Sequence, residues 1–222
     1  MCQQITYKRQ TAFTLAEVLI TLLIIGVIAS IVIPGLIADT QNAEYKTAWK
    51  KAFADFSQAA RKMTADNGGN LGEAFPGGGT AAGHTNFRNG FLPYLNYIKA
   101  CTGGNAYAEG CWHNSDAWYT SSGSPLTGHS AHVYSGIVLN NGTLVSMYLY
   151  STACNYNYTY TNDTCGLVLF DINGFKGPNK VGTDIFGSHV LRNGVLLPYG
   201  TSNDVFYSSA IGWNKAATYL YQ

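Results

Sequence analysis

The chain has 222 residues, of which 46% are hydrophobic and only 11% charged, with a formal net charge of +1, 25 Gly and 16 Tyr. That length accommodates one domain plus an appendage and buries an ordinary core without metals or staples, which excludes a mini-protein. The low charge excludes an acidic disordered tail and a basic nucleic-acid arm, and a surface of Tyr, Gly, Asn, Ser and Thr points to an exported protein.

The apolar residues are concentrated at the start. No charge occurs from Val18 to Ile33, and the 21 residues from Phe13 to Ile33 hold one acid, Glu17. A helix of that length reaches roughly 30 Å, the thickness of a bilayer's hydrocarbon core. Lys8 and Arg9 precede the span without an acid, whereas the first basic residue after it is Lys46. The positive-inside bias therefore predicts a cytoplasmic N-terminus and export of everything beyond Pro34. A basic head before an apolar run also describes a secretory signal, with Val27-Ile28-Ala29 as a weak cleavage site. Against that reading, the apolar run continues to Ile33, and Glu17 stands inside it. A carboxylate in lipid costs about 2.5 to 3.5 kcal/mol, so a span that keeps one is expected to use it.

Phe13-Thr14-Leu15-Ala16-Glu17-Val18-Leu19-Ile20, followed by Leu22 to Ile33 and Pro34, resembles the N-terminal segment of type IV pilins and type II secretion pseudopilins. The resemblance implies removal of the leader, residues 1–12, by a prepilin peptidase between Ala12 and Phe13. It also implies methylation of the Phe13 amine and a role for Glu17 in assembly. One departure is Ala12, where the family usually carries Gly. Like subunits, other pilins and an inner-membrane assembly platform are the implied partners, in a filament at the cytoplasmic membrane or beyond it. The physics concurs: the freshly exposed Phe13 amine of a neighbour is a cation able to neutralise the Glu17 carboxylate in lipid.

After the span, Pro34-Gly35 is expected to kink or melt the helix. Apolar residues then recur at three- and four-residue steps from Tyr45 through Trp49, Phe56 and Met63, predicting an amphipathic helix over 34–67 that Asn67-Gly68-Gly69 terminates. Such a helix, half in the membrane and half on a sheet, looks like the family's long N-terminal helix. The remainder, 68–222, reads as one exported domain. Leu71 to Gly128 carries little periodicity and reads as a long connection, with a short helix or strand at Phe91 to Lys99. From His132 the pattern turns to strands. Val133–Leu139 pairs with Thr143–Leu149 across Asn141-Gly142. Leu167–Ile172 precedes Asn173-Gly174, and Ile185–Leu191 pairs with Val195–Leu197 across Asn193-Gly194. Type I′ turns are expected at these Asn-Gly steps. Trp213 to Leu220 has helical spacing. The fold class is α+β: a long N-terminal helix packed on a C-terminal antiparallel sheet.

Five Cys are present, and Cys2 leaves with the leader. Cys101, Cys111, Cys154 and Cys165 remain, an even number suited to an oxidising compartment. Their spacing favours Cys101 with Cys111 and Cys154 with Cys165 over the crossed connectivities.

Chemistry-bearing motifs are sparse. His129-Ser130-Ala131-His132 lacks a third metal ligand, and the chain has no serine-hydrolase elbow, phosphate loop or zinc-protease motif, so no enzyme is expected. Asp171 to Phe186 resembles a C-terminal segment of pilin-like proteins, and oxygen ligands from Asp171, Asn173 and Asp184 offer a calcium site there, as in some pseudopilin loops. The competing reading is a turn scaffold whose Asp and Asn side chains bond their own backbone. The tyrosines from Tyr148 to Tyr160 read either as cover for a sheet and a disulfide loop or as a contact surface for sugars or nucleobases, with too few neighbouring cations for specific nucleic-acid binding. A rival to the filament subunit is a membrane-anchored or secreted binding module or hydrolase, centred on His129, His132 or Asp171.

Overall fold

The computed structural model describes residues 13–114, 118–126, 134–157, 163–201 and 211–221. It contains a long helix α1 (Leu15–Asp66), helices α2 (Ala81–Phe91) and α3 (Lys215–Tyr221), and six strands. The strands are β1 (Tyr97–Cys101), β2 (Ser135–Leu139), β3 (Leu144–Leu149), β4 (Thr164–Asp171), β5 (Ile185–Leu191) and β6 (Leu196–Pro198). All are antiparallel and pair in chain order as one meander. The fold is therefore α+β, consistent with a pilin-like arrangement of long helix and sheet. The chain divides into two compact units, residues 1–43 and 44–222.

Within the first unit α1 passes through Pro34 without a break, so the expected interruption at Pro34-Gly35 does not occur. Proline removes one helical donor, and membrane-type helices absorb that loss because long propagation on both sides outweighs one missing bond. The large apolar side chains of this segment, from Phe13 to Ile37, are exposed.

The second unit owes its core to the amphipathic part of α1. Trp49, Ala52, Phe56, Ala59, Ala60 and Met63 are all buried, three to four residues apart as one helical face requires. Trp49 stacks on Phe186 with ring centroids 4.9 Å apart and meets Phe170 edge-on at 5.3 Å. Phe170 and Phe186 are cross-strand partners on β4 and β5, so one indole locks the helix to two strands. Its Nε1–H donates to the Ala216 carbonyl at 2.9 Å, which fastens α3 to the same point. The helix ends as a Schellman cap: Gly68 N–H donates to Ala65 O at 3.1 Å and Gly69 N–H to Thr64 O at 2.8 Å.

β4 is buried along its whole length because both faces are covered. Val168 and Phe170 face the helices, while Leu169 and Asp171, which alternate with them, face a layer that includes His113, Tyr199 and Trp213. The hairpins depart from the type I′ expectation. Gly142 and Gly194 have φ of 86° and 77°, but Asn141 and Asn193 are not among the residues with positive φ. Gly142 N–H donates to Leu139 O and Gly194 N–H to Leu191 O, each at 2.9 Å. These are three-residue loops: a type I turn followed by a glycine bulge. Each Asn instead caps its turn, Asn141 Oδ1 accepting from Thr143 N–H and Asn193 Oδ1 from Val195 N–H, both at 3.1 Å.

The stretch read as a connection contains α2. Thr80 supplies the N-cap, its hydroxyl oxygen accepting from Gly83 N–H, and His84, Phe87, Arg88 and Phe91 are buried on one face. The segment from Phe91 onward is both helix and strand in turn, with a 3-10 turn at Leu92–Tyr94 and then β1. Cys101 is bonded to Cys111 and Cys154 to Cys165. These links staple the loop that covers the sheet and the loop that precedes β4.

Candidate functional site

The N-terminal segment begins with a helix cap built from motif residues. Thr14 precedes the first turn of α1, and its N–H donates to Glu17 Oε2 at 2.9 Å. The Thr14 hydroxyl donates to the same oxygen at 2.8 Å, and Glu17 N–H donates back to Thr14 Oγ1 at 3.2 Å. Thr-x-x-Glu is a capping box, which satisfies helix-end donors reciprocally and places the carboxylate at the positive end of the helix dipole. Sequence reasoning selected Glu17 as the acid in lipid but missed its local partner, although the three-residue spacing carried that signal. Downstream, α1 is long and apolar enough to cross a membrane, and its most apolar window is wholly unburied. Phe13 is itself exposed, and Ala12 lies outside the described residues.

The structure brings Asp171, Asn173 and Asp184 together at the end of β4. Asp171 Oδ2 lies 2.8 Å from His113 Nε2, and Oδ1 accepts from Asn173 N–H at 3.2 Å. Asp184 accepts from Asn179 N–H at 2.8 Å on Oδ2 and from Lys180 N–H at 2.6 Å on Oδ1. Burial pushes Asp171 up to about 7, against the opposing pull of His113, and also raises Asp184. Three of the four carboxylate oxygens thus accept from backbone N–H groups, the fourth is paired with the His113 ring, and Asn173 donates through Nδ2 to Tyr45 Oη and the Gly177 carbonyl. As arranged, these bonds hold the loop as a turn scaffold in which Asp side chains bond nearby backbone N–H groups. Among the described residues, no group of three His, Cys, Asp or Glu side chains is placed to hold a metal. His113, the residue that completes the buried pair, was not singled out in the sequence because nothing in its spacing links it to Asp171.

The remaining candidates divide between structural positions and undescribed ones. His129 and His132 lie outside the described residues, as do Tyr158 and Tyr160. Tyr148 packs on Tyr134 and Tyr150 at 4.6 and 5.0 Å, and Tyr150 stacks on Tyr156 at 4.8 Å. His84 closes on Tyr148 at 4.1 Å, and its Nδ1 accepts from Leu149 N–H at 3.2 Å, where no β2 residue pairs with β3. Burial lowers His84 to about 4, so it is a neutral acceptor within the fold.

Comparison of the chain with curated proteins and with solved structures finds no match for either. A family model does match, the prokaryotic N-terminal methylation motif, over residues 7–33. That segment contains the cap, the acid and the exposed apolar helix described above. The chain thus carries the signature of type IV pilin-like proteins that are processed by a prepilin peptidase and anchored in a membrane by their N-terminal helix.

Proposed function

We propose that the chain is a structural subunit of a type IV pilus-like filament, specifically a type II secretion pseudopilin. The prepilin peptidase cuts between Ala12 and Phe13 and methylates the Phe13 amine. The subunit then polymerises with like subunits and other pilins on an inner-membrane assembly platform, through Phe13 to Ile33. The N-terminus lies inside and the 44–222 unit is exported. The observation that carries this reading is the methylation motif over residues 7–33, with its single acid inside an exposed apolar helix. The disulfides support export, since such bonds persist in oxidising compartments. Work is done by assembly, and the chain contributes a surface instead of a reaction.

The test is electron microscopy of filaments sheared from cells that produce the chain with its assembly machinery. Filaments decorated by antibody against the exported unit are expected. A chain that stays a dispersed single-pass membrane protein under those conditions contradicts the proposal and favours an anchored binding module or hydrolase.

A further inference from the structure

A recess of about 470 Å³ lies where α1, the approach to β1 and the β2–β3 turn meet. Lys51, Asp55 and Gln58 enter from α1, Asn96 from the approach to β1, and Asn140 and Asn141 from the turn. Its size falls within the range of small-molecule sites. The walls are held without a ligand. The Tyr94 hydroxyl donates to Asp66 Oδ2, Asn140 N–H donates to Asn96 O at 3.4 Å, and the turn is closed by Leu139 N–H to Thr143 O at 3.0 Å.

Charge and hydrogen-bonding capacity define what such a recess can take. Among the described residues that line it, the charged ones are Lys51 and Asp55, paired at 2.8 Å, so they cancel locally and give an anion no net attraction. Gln58, Asn96 and Asn140 line it and are exposed. Each carboxamide offers a carbonyl acceptor beside two N–H donors. A hydroxyl both donates and accepts, so adjacent hydroxyls on a ring match that alternation. Tyr94, Leu95 and Leu139 add apolar surface between the amides, suited to the C–H face of such a ring.

We propose that this recess binds a neutral saccharide, read by Gln58, Asn96 and Asn140. The proposal is independent of the filament reading, because an anchored monomer would present the same recess.

The test uses the full chain in lipid nanodiscs, avoiding sugar-based detergents. Galactose, glucose, mannose, N-acetylglucosamine and N-acetylgalactosamine are the probes, with inorganic phosphate and sialic acid as charged controls. Saturation-transfer NMR is expected to show contact with at least one neutral sugar and not with phosphate. Replacing both Asn96→Ala and Asn140→Ala is expected to weaken that binding by about tenfold or more, the effect of losing one or two ligand hydrogen bonds. Both side chains are exposed, so the Tm should stay unchanged, and Asn96→Gln should retain part of the affinity. Absence of signal for every neutral sugar overturns the proposal. So does binding that the double variant leaves intact, or binding in which phosphate or sialic acid competes equally.

Discussion

The Thr14 hydroxyl and the Glu17 carboxylate close on each other across the first turn of α1, the hydroxyl donating at 2.8 Å and accepting from the Glu17 N–H at 3.2 Å. The acid of the methylation motif caps its own helix, and under the filament proposal it also offers a charge to a neighbouring subunit. Glutamine preserves the first and removes the second, since Gln also serves in a capping box. Under the filament proposal, Glu17→Ala and Glu17→Gln both insert in the membrane and lose the leader normally, and both fail to form filaments of normal register. Pulldown of membranes and electron microscopy of sheared material read the two steps. Normal filaments from Glu17→Gln would assign the residue's role to capping alone.

The Trp49 indole joins α1, β4, β5 and α3. Trp49→Ala removes its contacts with Phe170 and Phe186 and the bond to Ala216 O, and large-to-small core replacements of this kind cost about 3 to 5 kcal/mol. A thermal melt of the full chain in nanodiscs should show a strongly lowered Tm for this variant. Lys51→Ala, on the exposed face with a single surface ion pair, should shift stability by less than about 1 kcal/mol.

Buried groups give the pH dependence of stability opposing slopes, with the raised carboxyls of Asp171 and Asp184 on one side and His84 on the other. Asp171 titrates near 3.8 when unfolded and is pushed up to about 7 in the fold. Between those values the folded protein keeps a proton that the unfolded chain has released, so this group makes stability fall as pH rises. His84 goes the other way, from 6.5 down to about 4, so the unfolded chain holds the extra proton and stability rises with pH across that window. In buffer with a chelator, the Tm of Asp171→Asn should therefore rise relative to that of the unaltered chain from about pH 4 to 6.5, and the Tm of His84→Asn should fall relative to it. Tm-against-pH curves that run parallel for the two variants would contradict both assignments.

The loop around Asp171, Asn173 and Asp184 gives calcium a direct test. Because the carboxylate oxygens are already paired with His113 and with backbone amides, adding Ca²⁺ is expected to leave the Tm of the full chain unchanged. A rise of several degrees that Asp184→Ala abolishes would instead establish a calcium site in which the ion displaces those donors.

Legibility in the sequence followed the range of the interactions. The apolar run with Glu17, the Trp49-to-Met63 stripe and the strands flanking Asn-Gly are local patterns, and each corresponds to an element of the fold. Turn geometry was less legible: Asn-Gly fixed the loop positions, but loop length, set by where the ladder resumes at Leu144 and Leu196, decided for a glycine bulge over type I′. Helix α2 was missed in a Gly- and Asn-rich stretch, although Thr80 followed by His84, Phe87, Arg88 and Phe91 has N-cap and helical spacing. The His113–Asp171 pair and the carboxamide-lined recess were illegible in principle. Each joins residues from separate elements, and only the order of strands in the sheet makes them neighbours.

The measurement that bears most directly on the central claim is mass spectrometry of the N-terminus of the protein from its native membranes. Processing by the prepilin peptidase predicts a mature chain that begins at N-methyl-Phe13, with residues 1–12 gone. A chain beginning at Ser30, or retaining Met1, would contradict it and reduce the N-terminal helix to a signal or simple anchor.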